Sequence, residues 1–528
     1  MKAIREIAFA FALLSVCCES PAQPSSPAAD YIEKVFAAAD DALDDARSAP
    51  NGARQRVSET LAQLEAAITK YPDSAALHLM MGRALIVYDC ALGSNNCSLR
   101  AKSHLTQAVA LDPKLVRAHV LLAHDAMNSG CTPCAKPHIS AAQALQRSDP
   151  YVLEVNGRQY QFMGVPDAAE QFYLLAVKAF PSPKKRWQVY NWLSEIYKQR
   201  ENYERAEWAL QSALDAAPEG AWSNGNLGAF YVHARGQCDK AIPLLRKALS
   251  IMNYGVARSA LTLALYERWA NAYLSKAEPE TVSRYWNEAQ ADSSDTMSLF
   301  FDSASYVGTG RASQALFISG KVPKTALEQT WQQGRTPLLM AAINDNTELA
   351  LFLIAHGANV NARDESGVFP AQAAAQYLNF RVMDALARKN ANLGMVVQGY
   401  NETVLMRVAR AGVSKPDRLK LAALLLDKGV PIDAKSARGM TALGVAIGAN
   451  DLEMVKYLFS RGAKSAGEPA AGVVPPVAFA IGAGNRELLE ELIKRNVGLN
   501  VDVQGTSLAD FAEKNGKPEL AKMLRERK

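Results

Sequence analysis

Small and apolar residues recur at fixed spacings through the middle of the chain, and this recurrence predicts a stack of paired helices. Small residues let two antiparallel helices approach closely, larger side chains fill the space beside them, and a proline ends the second helix because it has no N–H to donate. The first copy contains Gly157, Tyr160, Ala169, Tyr173, Ala176 and Pro181. The second, 37 residues on (157 to 194), contains Ser194, Tyr197, Ala206, Leu210, Ala213 and Pro218; the third, with one inserted residue, contains Gly228, Tyr231, Ala241, Leu245 and Ala248.

These offsets resemble the tetratricopeptide pattern. Weaker copies of the pattern precede the three clear ones, and a degenerate copy follows them at about residues 255–300. The resemblance covers residues 30–300 and implies a superhelix of two-helix units with a concave groove for a protein or peptide. The weaker copies are marked by Gly82, Ala108 and Pro113, and by Ala123, Ala142 and Pro150.

A second kind of repeat occupies the C-terminal part. Gly334-Arg335-Thr336-Pro337-Leu338, followed by His356-Gly357-Ala358, resembles the ankyrin consensus. The Thr side chain is expected to cap the first helix, and Pro suits the first helical position. Glycines such as Gly357 and Gly462 are expected to end second helices in the left-handed conformation. Later units open at Gly367, Thr403, Gly439, Pro475 and Gly505.

The two patterns together predict an all-α fold of two α-solenoids in tandem. Tetratricopeptide-like repeats over residues 30–300 would be followed by a connector and ankyrin N-terminal cap at 301–333. Ankyrin repeats with short β-hairpin loops would fill 334–528. The chain is similar to bacterial ankyrin-repeat proteins that carry an N-terminal tetratricopeptide-like array.

The extreme N-terminus has the layout of an export signal. Lys2 and Arg5 precede an apolar run from Ile7 to Val16. As a helix this run rises about 15 Å, half of a membrane's hydrocarbon core, so it predicts a signal peptide over residues 1–22 and a linker over 23–29. A second route stays open, because Leu14-Ser15-Val16-Cys17 resembles a lipobox whose Cys17 would carry a lipid anchor. Either route predicts a periplasmic or envelope-associated protein.

Composition narrows the function classes. A chain of 528 residues is too long for one hydrophobic core, and 49% apolar with 21% charged residues is typical of soluble folded proteins. The net charge of +5 is small, and no stretch gathers Lys and Arg with interleaved aromatic residues, so nucleic-acid binding is not expected. No nucleophile elbow, phosphate-binding loop or His-Glu-x-x-His motif is present, so we expect no catalysis, no cofactor and no metal.

Four cysteines form the main candidate for chemistry. Cys90, Cys97, Cys131 and Cys134 fall in neighbouring inter-helix turns, and in an oxidising compartment they are expected to form disulfides. Pairing within each turn and cross-pairing between turns both remain possible. Two alternatives stay open: a thiol-redox site, since Cys131-Thr132-Pro133-Cys134 resembles the thioredoxin-type motif, and a four-cysteine zinc site.

The family positions that face the groove give the candidate binding residues. For the tetratricopeptide-like part these are Tyr151, Arg158, Gln161, Asn191, Lys198 and Trp222; for the ankyrin hairpin tips they are Arg363, Asp364, Lys435 and Arg438. Packing within the array competes with binding as an interpretation of each. The sequence therefore predicts an exported interaction scaffold or adaptor that binds proteins on concave surfaces. The alternative is a thiol-redox or metal-binding envelope protein.

Overall fold

The computed structural model describes residues 31–35, 38–39, 53–86, 98–396, 401–411, 417–468, 470 and 473–526. These residues are mainly helical, and their only β-structure consists of isolated bridges, which confirms the predicted all-α class. Two compact units are present: residues 1–227 with 247–254, and residues 228–246 with 255–528. The predicted signal segment 1–22, the linker 23–29, Cys90 and Cys97 lie outside the described residues.

The first unit consists of antiparallel helix pairs. Residues 31–35 and 38–39 are helical and precede α1. The helices α10 and α11 contribute residues to both units. The bounds are α1 Ala53–Lys70, α2 Ala75–Leu85, α3 Ser98–Leu111, α4 Val116–Asn128, α5 Thr132–Gln146, α6 Pro150–Phe162, α7 Pro166–Ala179, α8 Trp187–Gln199, α9 Tyr203–Ala216, α10 Ala221–His233 and α11 Cys238–Ile251.

Close approach within each pair explains the small residues of the repeat. A Cβ atom added at Gly157 would lie 2.5 Å from Cδ1 of the buried Tyr173 ring. At Gly82 it would lie 2.6 Å from Leu105 Cγ. These distances are well below van der Waals contact, so only glycine allows the two helices to pack this closely. The predicted role of the small residue is confirmed.

Two consecutive hairpins carry the same histidine contact. His78 Nδ1 lies 2.9 Å from His104 Nδ1, and His78 Nε2 lies 2.9 Å from the Pro72 carbonyl oxygen. When Nε2–H donates to that carbonyl, neutral His78 can only accept at Nδ1, so His104 must donate. Burial, and then the neighbouring His78, lowers the pKa of His104 below its ordinary value. The equivalent contacts join His119 to His138 at 3.2 Å and to the Pro113 carbonyl at 3.0 Å.

The second unit also consists of packed helices. Its helices are α12 Gly255–Leu274, α13 Pro279–Asp292, α14 Thr296–Ala304, α15 Arg311–Ile318, α16 Pro337–Ile343, α17 Thr347–Ala355, α18 Pro370–Gln376, α19 Phe380–Arg388, α20 Val404–Ala409, α21 Asp417–Asp427, α22 Ala442–Gly448, α23 Leu452–Ser460, α24 Pro476–Ala483, α25 Arg486–Arg495, α26 Leu508–Lys514 and α27 Pro518–Glu526.

The predicted helix ends of the ankyrin-like part are confirmed. Thr336 caps α16, since its Oγ1 accepts from Leu339 N at 3.3 Å. Gly357 and Gly462 follow second helices with φ of 92° and 94°, the left-handed conformation that glycine adopts without a Cβ clash. Short bridges such as Met440 with Gly467 mark the hairpin loops.

The region predicted as connector and cap, 301–333, is packed into the second unit. Helix α12 packs against α13, α14 and α15, and α14 and α15 pack on α16 and α17 respectively. Glu267 on α12 fixes this arrangement: its carboxylate accepts hydrogen bonds from the Ser303 hydroxyl at 2.6 Å, Gly310 N at 2.8 Å, and Arg311 N and Ala312 N at 3.2 Å each. The side chain thus caps α15 from a neighbouring helix.

A buried ion pair joins two later repeats. Arg418 Nε donates to Asp451 Oδ2 at 2.6 Å, and neither side chain is more than 4% exposed. The same Asp451 caps α23 by accepting from Met454 N at 3.0 Å. Arg418 also donates from Nη2 to the exposed Glu453 at 2.5 Å, whereas the buried Asp451 carboxylate is neutralised by Arg418.

Candidate protein-binding surfaces

The first unit has an open groove of about 360 Å³ that crosses α4, α6 and α8. We call it the hairpin groove. Each of these helices is the first helix of its pair, and each turns one face toward the groove. The side chains that define it are Arg117, Tyr151, Glu154, Arg158, Gln188 and Trp192.

Arginine and aromatic side chains pack on one another along the hairpin groove. The guanidinium carbon of Arg117 lies 3.0 Å from the centre of the Tyr151 ring, and that of Arg158 lies 4.8 Å from the Trp192 ring. Arg158 also donates from Nη2 to Asn128 Oδ1 at 2.6 Å. Stacking holds both planar cations in place before any partner arrives, which lowers the entropy lost on binding.

Charge in the hairpin groove is mixed but mainly positive. Arg117, Arg158, Lys184 and Lys185 line it, together with the acidic Glu154 and Asp125. The Glu154 carboxylate is buried, and its Oε1 lies 3.6 Å from His124 Nε2. Burial lowers the pKa of Arg158 and raises the pKa of Asp125. An arginine pKa far above neutral leaves the Arg158 cation intact.

The predicted groove residues fall into two groups. Tyr151 and Arg158 line the hairpin groove as expected. The others make contacts elsewhere in the first unit. Gln161 accepts from the Tyr173 hydroxyl at 2.7 Å, Asn191 accepts from Asn226 Nδ2 at 3.0 Å, Lys198 donates to Glu195 at 2.6 Å, and Trp222 packs against Tyr254 with ring centres 4.5 Å apart.

Arg117 and Trp192 are among the groove residues that the sequence reasoning missed. Arg117 sits 34 residues before Tyr151 (117 to 151), the same interval that separates Ala123 from Gly157. Applying the groove positions to the weaker repeat around Ala123 would have found it. Trp192 is next to the predicted Asn191 and turns into the groove instead.

The second unit has a larger open cleft of about 1030 Å³, crossing α20, α22 and α24. We call it the arginine-rimmed cleft. Its apolar surface comes from Met406, Met440, Val445, Val474 and Phe479, and its charged rim from Glu402, Arg407, Arg410 and Arg438. Glu402 pairs with Arg407 at 3.0 Å and also with Arg410.

The predicted hairpin-tip residues have different surroundings. Arg438 lines the arginine-rimmed cleft, whereas Lys435 pairs with Glu468 at 3.5 Å. Arg363 donates to the Val396 carbonyl at 3.0 Å and so ties two tips together. The Asp364 side chain is fully buried, where it accepts from the backbone N–H groups at 366 and 368, each at 2.9 Å. The Asp364 carboxylate therefore stabilises the turn in which it lies.

The Cys131–Cys134 segment forms the start of α5. Cys131 is the N-terminal capping residue, the two sulfur atoms are bonded to each other, and the Cα atoms are 5.3 Å apart. The preceding element is helix α4 and not a strand. Cys238 is a free, buried thiol whose pKa is raised to about 12, chiefly by burial.

In the part of the chain that the structure describes, no cluster of three or more His, Cys, Asp or Glu side chains is arranged to hold a metal ion. No helix there combines the length and apolar character needed to cross a membrane.

Comparison with known proteins supports both repeat types. Residues 303–397 and 372–466 match the family described as ankyrin repeats (3 copies), and residues 188–219 match the tetratricopeptide repeat. The ankyrin match begins at α14, within the region predicted as connector and cap. The chain therefore contains ankyrin repeats and a tetratricopeptide repeat.

Similar curated proteins share only a segment with this chain. An ankyrin repeat domain-containing protein, SAT10, from Stachybotrys chartarum is 35% identical over 143 residues, which cover 27% of this chain and 7% of that protein. The potassium channel AKT2/3 from Arabidopsis thaliana is 26% identical over 145 residues, 26% of this chain and 16% of the channel. The chain thus matches a small fraction of either relative's length.

Proposed function

We propose that the chain is an exported scaffold or adaptor that binds partner proteins on the hairpin groove and the arginine-rimmed cleft, without catalysis. One observation carries the proposal: Arg117, Tyr151, Arg158 and Trp192 line a single open groove. Tyr, Trp and Arg are enriched among the few residues that supply most of the binding energy in protein interfaces. A groove across successive repeats suits a helix or extended segment of another protein.

The openness of both surfaces favours binding over chemistry. Catalytic groups gain most of their effect in sites that exclude water, where fixed dipoles act in a low dielectric. The hairpin groove and the arginine-rimmed cleft each run across three helices and remain open along their length. Contacts spread over such a surface can hold a macromolecular partner without enclosing a small substrate.

Site-specific photocrosslinking tests the binding proposal. A photoreactive phenylalanine analogue replaces Gln188 in the hairpin groove, and a matched analogue replaces Trp208, an exposed aromatic residue of α9 outside the groove. Irradiation of intact cells of the native organism should yield a discrete protein adduct from position 188 only. The adduct should disappear when Arg158→Ala and Trp192→Ala are added. Equal labelling from both positions, or no adduct from either, contradicts the proposal.

Export is the second component of the proposal. It rests on the charged start, the short apolar run and the small residues before position 23. Cell fractionation with intact-mass measurement distinguishes the routes. Cleavage after residue 22 gives a soluble protein, whereas a lipid-modified Cys17 gives a membrane-anchored one. An uncleaved cytoplasmic chain contradicts export.

A second candidate function is thiol–disulfide exchange by Cys131 and Cys134. The observation that favours it is their position at the start of the 15-residue helix α5, where the helix dipole stabilises a thiolate. In the reduced pair, one thiolate would attack a substrate disulfide, and the second would release the reduced substrate as the pair is oxidised. Turnover of a disulfide substrate with glutathione, abolished in Cys131→Ser, would support this function. A structural disulfide would show no turnover.

A further inference from the structure

The arginine-rimmed cleft combines two features that rarely occur together on a solvated surface. Its floor carries exposed apolar side chains, with Phe479 at 54% and Val474 at 41% exposure. Its rim carries three arginines against one carboxylate, Glu402. Leaving apolar side chains in water is unfavourable, and a concave apolar patch with a charged rim is typical of a binding site.

The rim charges are not neutralised within the cleft. Glu402 contacts both Arg407 and Arg410, so one negative charge is shared by two cations. Arg438 adds a third positive charge from the neighbouring hairpin tip, and it is exposed. Three positive charges and one negative charge give the described lining residues a net charge of +2. This excess attracts a ligand with carboxylate or other acidic groups.

The shape of the cleft indicates an extended segment. The cleft crosses the three first helices α20, α22 and α24, which pack in sequence. With packed helices spaced about 8–10 Å apart, two spacings cover roughly 16–20 Å. An extended chain advances about 3.3 Å per residue, so about five or six residues would span the cleft.

We propose that the arginine-rimmed cleft binds an extended acidic segment of a partner protein. This inference rests on the proposed scaffold function and specifies the partner's chemistry at one of its surfaces. Carboxylates of the segment pair with Arg410 and Arg438, while an intervening apolar side chain packs between Met440, Val474 and Phe479. Arginine suits this role because its planar guanidinium can bind a carboxylate through two N–H groups.

A protein segment fits this surface better than a nucleic acid. Nucleic-acid grooves combine long rows of Lys and Arg along the phosphates with aromatic platforms for successive bases. Among the described residues that line the cleft, the positive charge is confined to three arginines, and the floor contains methionine and valine beside a single aromatic ring. Met and Val side chains pack well against the apolar side chains of a peptide but offer no stacking face for bases.

Fluorescence anisotropy with two matched peptide panels tests the proposal on the full chain. The probes are short fluorescein-labelled peptides that alternate Glu or Asp with Leu or Phe. The matched panel has Gln or Asn in place of every acidic residue. Acidic peptides should bind about tenfold or more tightly than their amide counterparts, and added salt should reduce this difference. Equal affinity for the two panels, or stronger binding of a fluorescein-labelled oligothymidine, overturns the proposal.

Substitutions test whether the peptides bind in the arginine-rimmed cleft. Arg438→Glu should weaken acidic-peptide binding about tenfold, whereas Arg388→Glu, the same charge reversal at an exposed arginine of α19 outside the cleft, should have little effect. Gly448→Leu should weaken binding of both panels by filling the cleft. A Cβ there would lie 3.9 Å from Pro476 Cβ, so the first side-chain carbon meets no clash with the described residues. Equal losses in Arg438→Glu and Arg388→Glu contradict the assignment.

The peptide-binding experiment can succeed or fail independently of the crosslinking test of the proposed function. Failure of the peptide experiment, together with a partner adduct at position 188, overturns only the acidic-segment inference. Loss of the adduct, with retained acidic-peptide binding that depends on Arg438, overturns the role of the hairpin groove and leaves this inference standing. Circular dichroism melting of each variant separates a binding defect from unfolding.

Discussion

The clearest test of the packing account is removal of the Glu267 carboxylate. Glu267 is 2% exposed, and it caps α15 from α12 through one hydroxyl and three backbone N–H groups. Glu267→Ala deletes the acceptor while Gly310 N, Ala312 N and the Ser303 hydroxyl stay buried. The change therefore tests whether α12 is structurally joined to the ankyrin stack.

The expected loss of stability in Glu267→Ala is the difference between two opposing effects. Each buried polar group left without a partner costs about 1–3 kcal/mol, so three groups would cost roughly 3–9 kcal/mol. Part of this cost is offset, because the variant no longer has to bury a carboxylate. The pKa of Glu267 lies above its ordinary value because burial raises it more than the four hydrogen bonds lower it. We expect a net loss of about 3–5 kcal/mol in the free energy of unfolding of the second unit.

Differential scanning calorimetry of the full chain measures this loss. At about 2 °C per kcal/mol for a unit of this size, the second unit's Tm should fall by roughly 6–10 °C. Glu267→Gln should lose less, because its amide oxygen can still accept from two donors. The control is Glu278→Ala, an exposed residue before α13 whose side chain makes no capping hydrogen bond, with an expected change below about 0.5 kcal/mol. Equal Tm values for Glu267→Ala and Glu278→Ala would refute the account.

Three further predictions concern other internal contacts. Gly157→Ala should destabilise the first unit by about 1–3 kcal/mol in urea unfolding, because the new Cβ would overlap the Tyr173 ring; an unchanged midpoint would contradict the close approach. Arg418→Ala leaves the Asp451 carboxylate buried without its cation and should cost about 3–5 kcal/mol by the same assay; a loss under about 1 kcal/mol would contradict that pairing. Lowered folded-state pKa values at His104 and His138 mean that the unfolded chain takes up protons first as pH falls below their ordinary value of 6.5. First-unit stability should be retained above that pH and fall as pH drops below it. Replacing both with Asn, which keeps an N–H donor but does not titrate, should flatten the pH dependence of the urea midpoint, and an unchanged slope would be inconsistent with this origin.

The repeat architecture could be predicted because the spacing of small and large side chains reports helix packing directly. Gly157 and Tyr173 are 16 residues apart in sequence (157 to 173), and they meet because the hairpin brings those positions together. Thr336 and Gly357 likewise mark a helix start and a helix end through local chemistry. Patterns of this kind depend only on neighbours in the repeat.

The binding residues were harder to predict because the groove face depends on helix rotation. One residue along a helix turns the side chain by about 100°, which is the difference between Asn191 and Trp192. Asp364 shows a second cause, since an Asp in a tight turn can accept from nearby backbone amides instead of facing solvent. Neither effect is visible from repeat positions alone.

The packing of the connector, residues 301–333, could not be predicted from the sequence either. Glu267 accepts a hydrogen bond from Gly310, 43 residues later in the chain. No local sequence pattern predicts a carboxylate that caps a distant helix. Long-range polar contacts of this kind become apparent only when the helices are placed in space.

The central claim is that the chain binds a protein partner on its concave surfaces. Hydrogen–deuterium exchange by mass spectrometry, comparing the free chain with its complex with the partner captured by crosslinking, measures this most directly. The account predicts slower exchange in α4, α6 and α8 and in α20, α22 and α24, with little change in the second helices α9 and α25. Protection confined to the second helices, or no protection in either groove, would contradict it.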